Sequence, residues 1–253
     1  MRKLKKNESI AIISIVIILI LAVIFVPRLS SQNDSYPTPI YLQNDPELNT
    51  FKLGIDVSEH QGDVDWEAVS KTSVDFAIIR ASYAWNDEGD QHQDKTFLEN
   101  VAEAKKYNIP IGAYHYSYAT TVEEAKKEAE LFLSQVRGTT FEYPLYYDLE
   151  DEYQDDLSKE EITNIAIAFL ETIKEAGYYV GIYSNPDNIK NLDMERLAEY
   201  DLWIANYSVQ NTYEGDYGMW QYTCYGKVNG ISGDVDLNYC YYDYPSYIKK
   251  VQK

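Results

Sequence analysis

Cysteine and histidine are scarce in this chain, with two Cys and three His in 253 residues. Cys224, Cys240, His60, His92 and His115 lie far apart and show no metal-ligand spacing, so no metal site is expected. No Gly-rich phosphate loop follows the first strand-like run, which argues against a dinucleotide or nucleotide, and no cofactor is expected. Basic side chains are also short: 22 Lys and Arg stand against 41 Asp and Glu, for a net charge of −19. The first 30 residues hold five of the basic groups and one Glu, which leaves 17 basic and 40 acidic side chains beyond them. A surface of that sign excludes nucleic acid as a partner.

Only one long apolar run is present. Arg2, Lys3, Lys5 and Lys6 precede an almost unbroken stretch from Ile10 to Val26, which as a helix spans roughly 25 Å and nearly crosses a hydrocarbon core. Residues 1–8 are therefore expected to be a cytoplasmic basic segment and 9–27 a transmembrane anchor, with the membrane contact through residues 10–26. The alternative is a cleaved signal, with the protein secreted. Pro27-Arg28-Leu29 follows the run where a cleavage site needs small residues, which favours the anchor. Residues 28–50, with Ser, Asn, Asp and Pro and little apolar periodicity, read as a flexible stalk. Residues 51–243 are long enough for one large domain outside the cell, followed by a tail at 244–253. In that setting Cys224 and Cys240 are a candidate disulfide, with two free thiols as the alternative.

Strand-like runs recur at Leu53–Val57, Phe76–Ala81, Ile111–Tyr116, Leu145–Leu149, Tyr179–Tyr183, Leu202–Ala205, Met219–Tyr222 and Val235–Leu237. Helical stretches separate the first six, at Trp66–Lys71, Lys95–Tyr107, Val122–Val136, Lys159–Ala176 and, more weakly, Met194–Glu199. Strand alternating with helix implies parallel pairing through right-handed crossovers. The steps from Asp56 to Ala81, His115, Asp148, Tyr183 and Asn206 run about 23 to 35 residues, whereas those to Gln221 and Asp236 are about 15, too short for a crossover helix. The expected fold is an α/β, TIM-like barrel of eight strands with about five helices, its C-terminal strands joined by loops. A doubly wound open sheet is the competitor.

Tyr146-Tyr147-Asp148-Leu149-Glu150 closes the fourth of these strands with two carboxylates two residues apart. On a strand, positions i and i+2 share a face, so Asp148 and Glu150 project together. Like charges so placed resist ionising together, which can leave one acid protonated near neutral pH. A parallel barrel gathers reactive groups at the C-terminal ends of its strands. The polar residues expected there are Asp56, Arg80, His115, Asp148, Glu150, Asn206, Gln221 and Asp236. Each has an ordinary structural reading taken alone; together, in one register, they mark a site.

These residues carry a family resemblance. Gly54-Ile55-Asp56-Val57-Ser58, Gln61-Gly62, Val64-Asp65-Trp66, Phe76 and Arg80-Ala81 resemble the opening of glycoside hydrolase family 25, the Chalaropsis-type lysozymes. The likeness continues through Gly112-Ala113-Tyr114-His115-Tyr116, Asp148-Leu149-Glu150, Gly181-Ile182-Tyr183-Ser184, Leu202-Trp203-Ile204-Ala205, Trp220-Gln221-Tyr222 and Val235-Asp236-Leu237-Asn238. It spans Leu53 to Tyr239. The resemblance implies an eight-stranded barrel with five helices and cleavage of the β-1,4 bond between N-acetylmuramic acid and N-acetylglucosamine in peptidoglycan. It also implies Glu150 as general acid and then base, Asp148 orienting the 2-acetamido group for substrate-assisted retention, and Asp56 and Asp236 completing an acidic floor; a direct carboxylate nucleophile is the alternative.

Twenty-five Tyr and four Trp suit a saccharide groove, where aromatic faces pack on the C–H faces of sugars. Tyr116, Tyr183, Trp203 and Gln221 are the expected substrate contacts. No repeat resembling a wall-binding module is present, so the anchor is expected to hold the enzyme at the cell membrane, with its catalytic domain outside. Two rival readings are a non-catalytic peptidoglycan-binding barrel, which the presence of both Asp148 and Glu150 disfavours, and a chitinase-like N-acetylhexosaminidase, whose longer acidic run is missing before Asp148.

Overall fold

The computed structural model describes residues 51–85, 90–208 and 210–251. The expected cytoplasmic segment, anchor and stalk lie outside them. Among the described residues, no helix is long and apolar enough to cross a membrane.

Nine strands among the described residues form one sheet: β1 (Lys52–Val57), β2 (Phe76–Trp85), β3 (Asp90–Gln93), β4 (Ile111–Tyr116), β5 (Leu145–Asp148), β6 (Val180–Ser184), β7 (Asp201–Ala205), β8 (Met219–Gly226) and β9 (Val235–Cys240). Their order is β1-β9-β8-β7-β6-β5-β4-β2-β3, and β1 also pairs with β2, so eight strands close a barrel and β3 hangs on β2 as a hairpin. Pairing is parallel from β1 through β8 around the barrel. β9 runs antiparallel to both neighbours. The loop expected between the last two strands is a hairpin return, the only connection so short a link after β8 permits.

Among the described residues, six α-helical segments accompany the strands: α1 (Trp66–Val69), α2 (Phe97–Lys106), α3 (Val122–Val136), α4 (Lys159–Glu175), α5 (Pro186–Ile189) and α6 (Tyr244–Val251). α3 and α4 begin where the sequence puts Thr121 with Glu124 and Ser158 with Glu161, each pair forming a capping box that satisfies the first free amides. α4 buries Ile162, Ile165, Ala166, Phe169, Leu170 and Ile173 on one face, each large side chain contributing about 1.5–3 kcal/mol relative to exposure. The weak helix expected at Met194–Glu199 is a run of turns. The stretch expected to be a tail instead carries α6, which buries Tyr244 and Ile248.

Alternation along the strands divides the core in two. Outward residues such as Ile55, Ala77, Ile79, Ala113, Tyr147 and Ile182 pack with the helices. Inward residues Phe76, Ile78, Tyr146, Tyr183, Trp203 and Met219 fill the lumen, joined by Tyr244 and Ile248 of α6. Space inside is tight: a Cβ on Gly54 would lie 2.1 Å from the Phe76 ring. The lumen is thus plugged at one end, and polar residues collect at the other, where the parallel strands finish.

Candidate active site

A cleft of about 630 Å³ opens at that end. Five carboxylates line it, from Asp56, Glu59, Asp148, Glu150 and Asp236, with the Arg80 guanidinium among them. β1 supplies Asp56, β5 ends on Asp148 with Glu150 just beyond, and β9 supplies Asp236. Asp56 and Asp236 are direct partners across the β1–β9 pair, an arrangement in which like charges oppose ionisation of both. Asp236 therefore reaches the mouth from the start of an antiparallel strand, not from the end of a parallel one.

Burial dominates the acid chemistry. It raises Asp56 and Asp148 well above the usual carboxylate range, with the charge of Asp236 adding to the first and that of Glu150 to the second. Arg80 acts against the rise at Asp148. Glu150 is pushed up to about 7, again mainly by burial, while the Tyr183 hydroxyl within its reach opposes the shift and the charges of Asp236 and Asp151 assist it. Asp236 rises to about 6 through burial. Charges this close titrate as a group, so near neutral pH the floor retains protons. Glu150 is the member poised to give one up at pH 7.

The hydrogen bonds assign different positions to the acids. Asp56 Oδ2 accepts from Gln221 Nε2 at 3.0 Å and from Asn238 Nδ2 at 2.8 Å. Asn238 Oδ1 in turn accepts Trp203 Nε1 at 2.8 Å. Asp148 is buried, yet its Oδ1 has no hydrogen-bond partner among the described residues. An unpartnered buried acceptor is costly, and at a cleft wall it fits a donor on a bound molecule. Tyr116 OH donates to Asp151 Oδ2 at 2.8 Å, which fixes that ring beside Glu150.

The expected substrate contacts Tyr116, Tyr183, Trp203 and Gln221 all line the cleft, with Trp203 almost wholly buried as part of its floor. His115 does not. It points outward, its Nδ1 2.8 Å from Ser82 Oγ and its Nε2 3.4 Å from Glu128 of α3, because Tyr114 and Tyr116 take the inward positions of β4. Asn206 turns its amide to Asn211 and Thr212 and is not among the lining residues. Cys224 and Cys240 are free thiols. Cys240 pairs with Met219, five residues along β8 from Cys224 and so about 17 Å away by strand rise, too far for a bridge.

Sequence reasoning missed Tyr207, Tyr83, Glu59 and His92 as lining residues. Tyr207 lies two residues beyond the end of β7 at Ala205, a position that could have signalled it. Tyr83 comes inward because the β2–β4 register shifts between Arg80 and Ser82, and a bulge of this kind leaves no mark in a period-two pattern. Among the described residues, no group of three or more His, Cys, Asp or Glu side chains is arranged to hold a metal ion.

Residues 55–231 match the family model described as Glycosyl hydrolases family 25. The chain belongs to that family. It is 30% identical over 186 residues to an autolytic lysozyme of Clostridium acetobutylicum, covering 73% of this chain and 54% of that relative. The chain thus spans about half the length of that curated relative. A family 25 glycosyl hydrolase from Bacillus anthracis superposes with a TM-score of 0.67 at 26% identity, over 78% of this chain and 92% of that one. The modular autolysin LytC from Streptococcus pneumoniae, solved in complex with a synthetic peptidoglycan ligand, superposes with a TM-score of 0.66 at 29% identity, over 75% and 46%.

Proposed function

We propose that this family 25 glycoside hydrolase is a lysozyme of the Chalaropsis type, a 1,4-β-N-acetylmuramidase that cleaves peptidoglycan between N-acetylmuramic acid and N-acetylglucosamine. The observation that carries the reading is the floor itself. A carboxyl held up to about 7 at Glu150 stands two residues from a buried carboxylate, Asp148, with an unpartnered oxygen. Glu150 donates its proton to the glycosidic oxygen as the bond to the anomeric carbon breaks. The carbonyl oxygen of the substrate's own 2-acetamido group closes on that carbon, and Asp148 Oδ1 accepts the acetamido N–H, orienting and polarising the group. Glu150, now a carboxylate, takes a proton from water as water opens the cyclic intermediate, so configuration is retained. Asp56 and Asp236 complete the floor and keep proton affinity high. Tyr116, Tyr183, Trp203 and Gln221 hold the sugar.

The basic segment and apolar run at residues 1–26 favour a single-pass anchor with the hydrolase outside the cell, acting on the bacterium's own wall. Recovery with membranes after a carbonate wash is the expected behaviour; release into the medium, trimmed near residue 30, would count against it. The activity itself is tested by digesting purified peptidoglycan with the protein, reducing with borohydride and identifying the new end by mass spectrometry. Muramitol is expected. Glucosaminitol would assign the wrong bond, and the absence of a new end would remove the activity.

A further inference from the structure

Gln221 is fixed at one end of its amide and supplied twice at the other. Its Nε2 donates to Asp56 Oδ2 at 3.0 Å, which turns Oε1 toward β6 and β7. There Oε1 accepts two phenol hydroxyls, Tyr183 at 2.9 Å and Tyr207 at 2.7 Å. One such donor is enough to keep a buried carbonyl oxygen from being stranded, so one of the two is free to leave. Tyr183 has another acceptor within reach, the Glu150 carboxylate. A phenol has one proton to donate, so Tyr183 serves Gln221 or Glu150 but not both. Tyr207 sits just after β7 and is 55% exposed.

We propose that Tyr207 is a positioning residue for the acid: by holding Gln221 Oε1 itself, it releases the Tyr183 hydroxyl to turn to Glu150 whenever Glu150 is ionised. The proposal rests on Glu150 being the acid and base of the reaction. While Glu150 is protonated, its own proton points at the leaving oxygen and Tyr183 donates to Gln221. Once that proton has gone, the new carboxylate faces Asp148 and Asp151 on its own segment, Asp56 on β1 and Asp236 on β9. The phenols facing it are Tyr116, Tyr183 and Tyr207. A donor arriving from Tyr183 offsets part of that repulsion. Burial raises the pKa of both Tyr183 and Tyr207 far above neutrality, so both phenols keep their protons and only hydrogen bonds change. Without Tyr207, the same turn would strand Gln221 Oε1, which holds Tyr183 in place and leaves ionised Glu150 without its donor.

The test is a carboxyl titration of the full-length protein labelled with ¹³C at the glutamate side-chain carboxyl, with the Glu150 resonance assigned as the one lost in Glu150→Gln. The expected midpoint is about 7 in the parent protein. Tyr183→Phe should raise it by roughly one unit, since a hydrogen bond to the charged form is lost. Tyr207→Phe should raise it in the same direction by less, and the double variant should go no further than Tyr183→Phe. The alkaline limb of kcat/KM should follow the same order. A midpoint unmoved by Tyr207→Phe or by Tyr183→Phe, or shifts that add in the double variant, would overturn the proposal. Tyr207→Phe changes a half-exposed side chain and carries the test alone if Tyr183→Phe does not fold. The titration needs no substrate: the expected shifts without peptidoglycan hydrolysis would sink the lysozyme reading and leave this arrangement standing, while hydrolysis with an unmoved midpoint would sink only this proposal.

Discussion

Buried carboxylates occur on both faces of β4 and β5, and the two faces treat them differently. On the outer face, Glu128 of α3 is 2% exposed and well supplied. Its Oε2 accepts Ser117 Oγ and Tyr147 OH, each at 2.9 Å, its Oε1 accepts the Tyr118 amide at 3.0 Å, and His115 lies 3.4 Å away. On the inner face, Asp148 is equally buried and keeps an oxygen with no partner among the described residues. At the plugged end of the lumen, Asp201 follows the outer pattern, accepting Tyr146 OH at 2.7 Å and Tyr244 OH at 2.6 Å. Carboxylates that hold the fold are surrounded by donors. At the mouth Asp56 accepts two amides, but Asp148 is left a donor short, and in the proposed reaction the substrate brings the one it lacks.

The largest effect expected at the mouth is from Glu150→Gln, which should lower kcat by about 10³-fold, within the range for a general acid, with no loss in the thermal midpoint; a residual rate near the parent's would move the acid elsewhere. Next comes the substrate. Glycan whose muramic acid is de-N-acetylated lacks the carbonyl that attacks and the N–H that meets Asp148, so it should be cleaved on the order of 10²-fold more slowly. Equal rates on both glycans would remove Asp148 from its role.

Protonation sharpens the contrast further. Folded Glu150 keeps its proton to about pH 7, whereas the ordinary value is 4.5, and Asp236 to about 6 against 3.8. Between those limits the folded state binds more protons than the unfolded one, so stability falls as pH rises from about 4 to 7. Thermal midpoints across that range should show the fall, and Glu150→Gln should flatten it. Activity should decline above about pH 7 as Glu150 loses its proton. The smallest effect concerns the thiols: a reductant should leave the thermal midpoint unmoved, whereas breaking a disulfide would remove about 2–4 kcal/mol.

Much of this was legible beforehand. The eight barrel strands carry apolar and aromatic runs, and the change in spacing after Asn206 correctly marked where crossover helices stop. The pair at Asp148 and Glu150 was visible because period two is local. What sequence could not give was long-range pairing. The reversal of β9 brings Asp236 opposite Asp56, and nothing within Val235–Leu237 states its direction. His115 was misplaced for a related reason: alternation gave it the face opposite Tyr114 and Tyr116 but did not say which face was inside. α6 went unread since its burial depends on Tyr244 and Ile248 closing a lumen built by residues far away in sequence.

The most direct test of the contrast is to measure thermal stability and peptidoglycan hydrolysis on the same preparations of Asp148→Asn and Glu128→Gln. The account predicts that Asp148→Asn is at least as stable as the parent and nearly inactive. Glu128→Gln, which sets an amide N–H₂ against existing donors, should lose about 2 kcal/mol or more and keep most of its activity while folded. An Asp148→Asn protein that hydrolyses the wall normally but melts early, beside a Glu128→Gln protein that is stable and inactive, would contradict it.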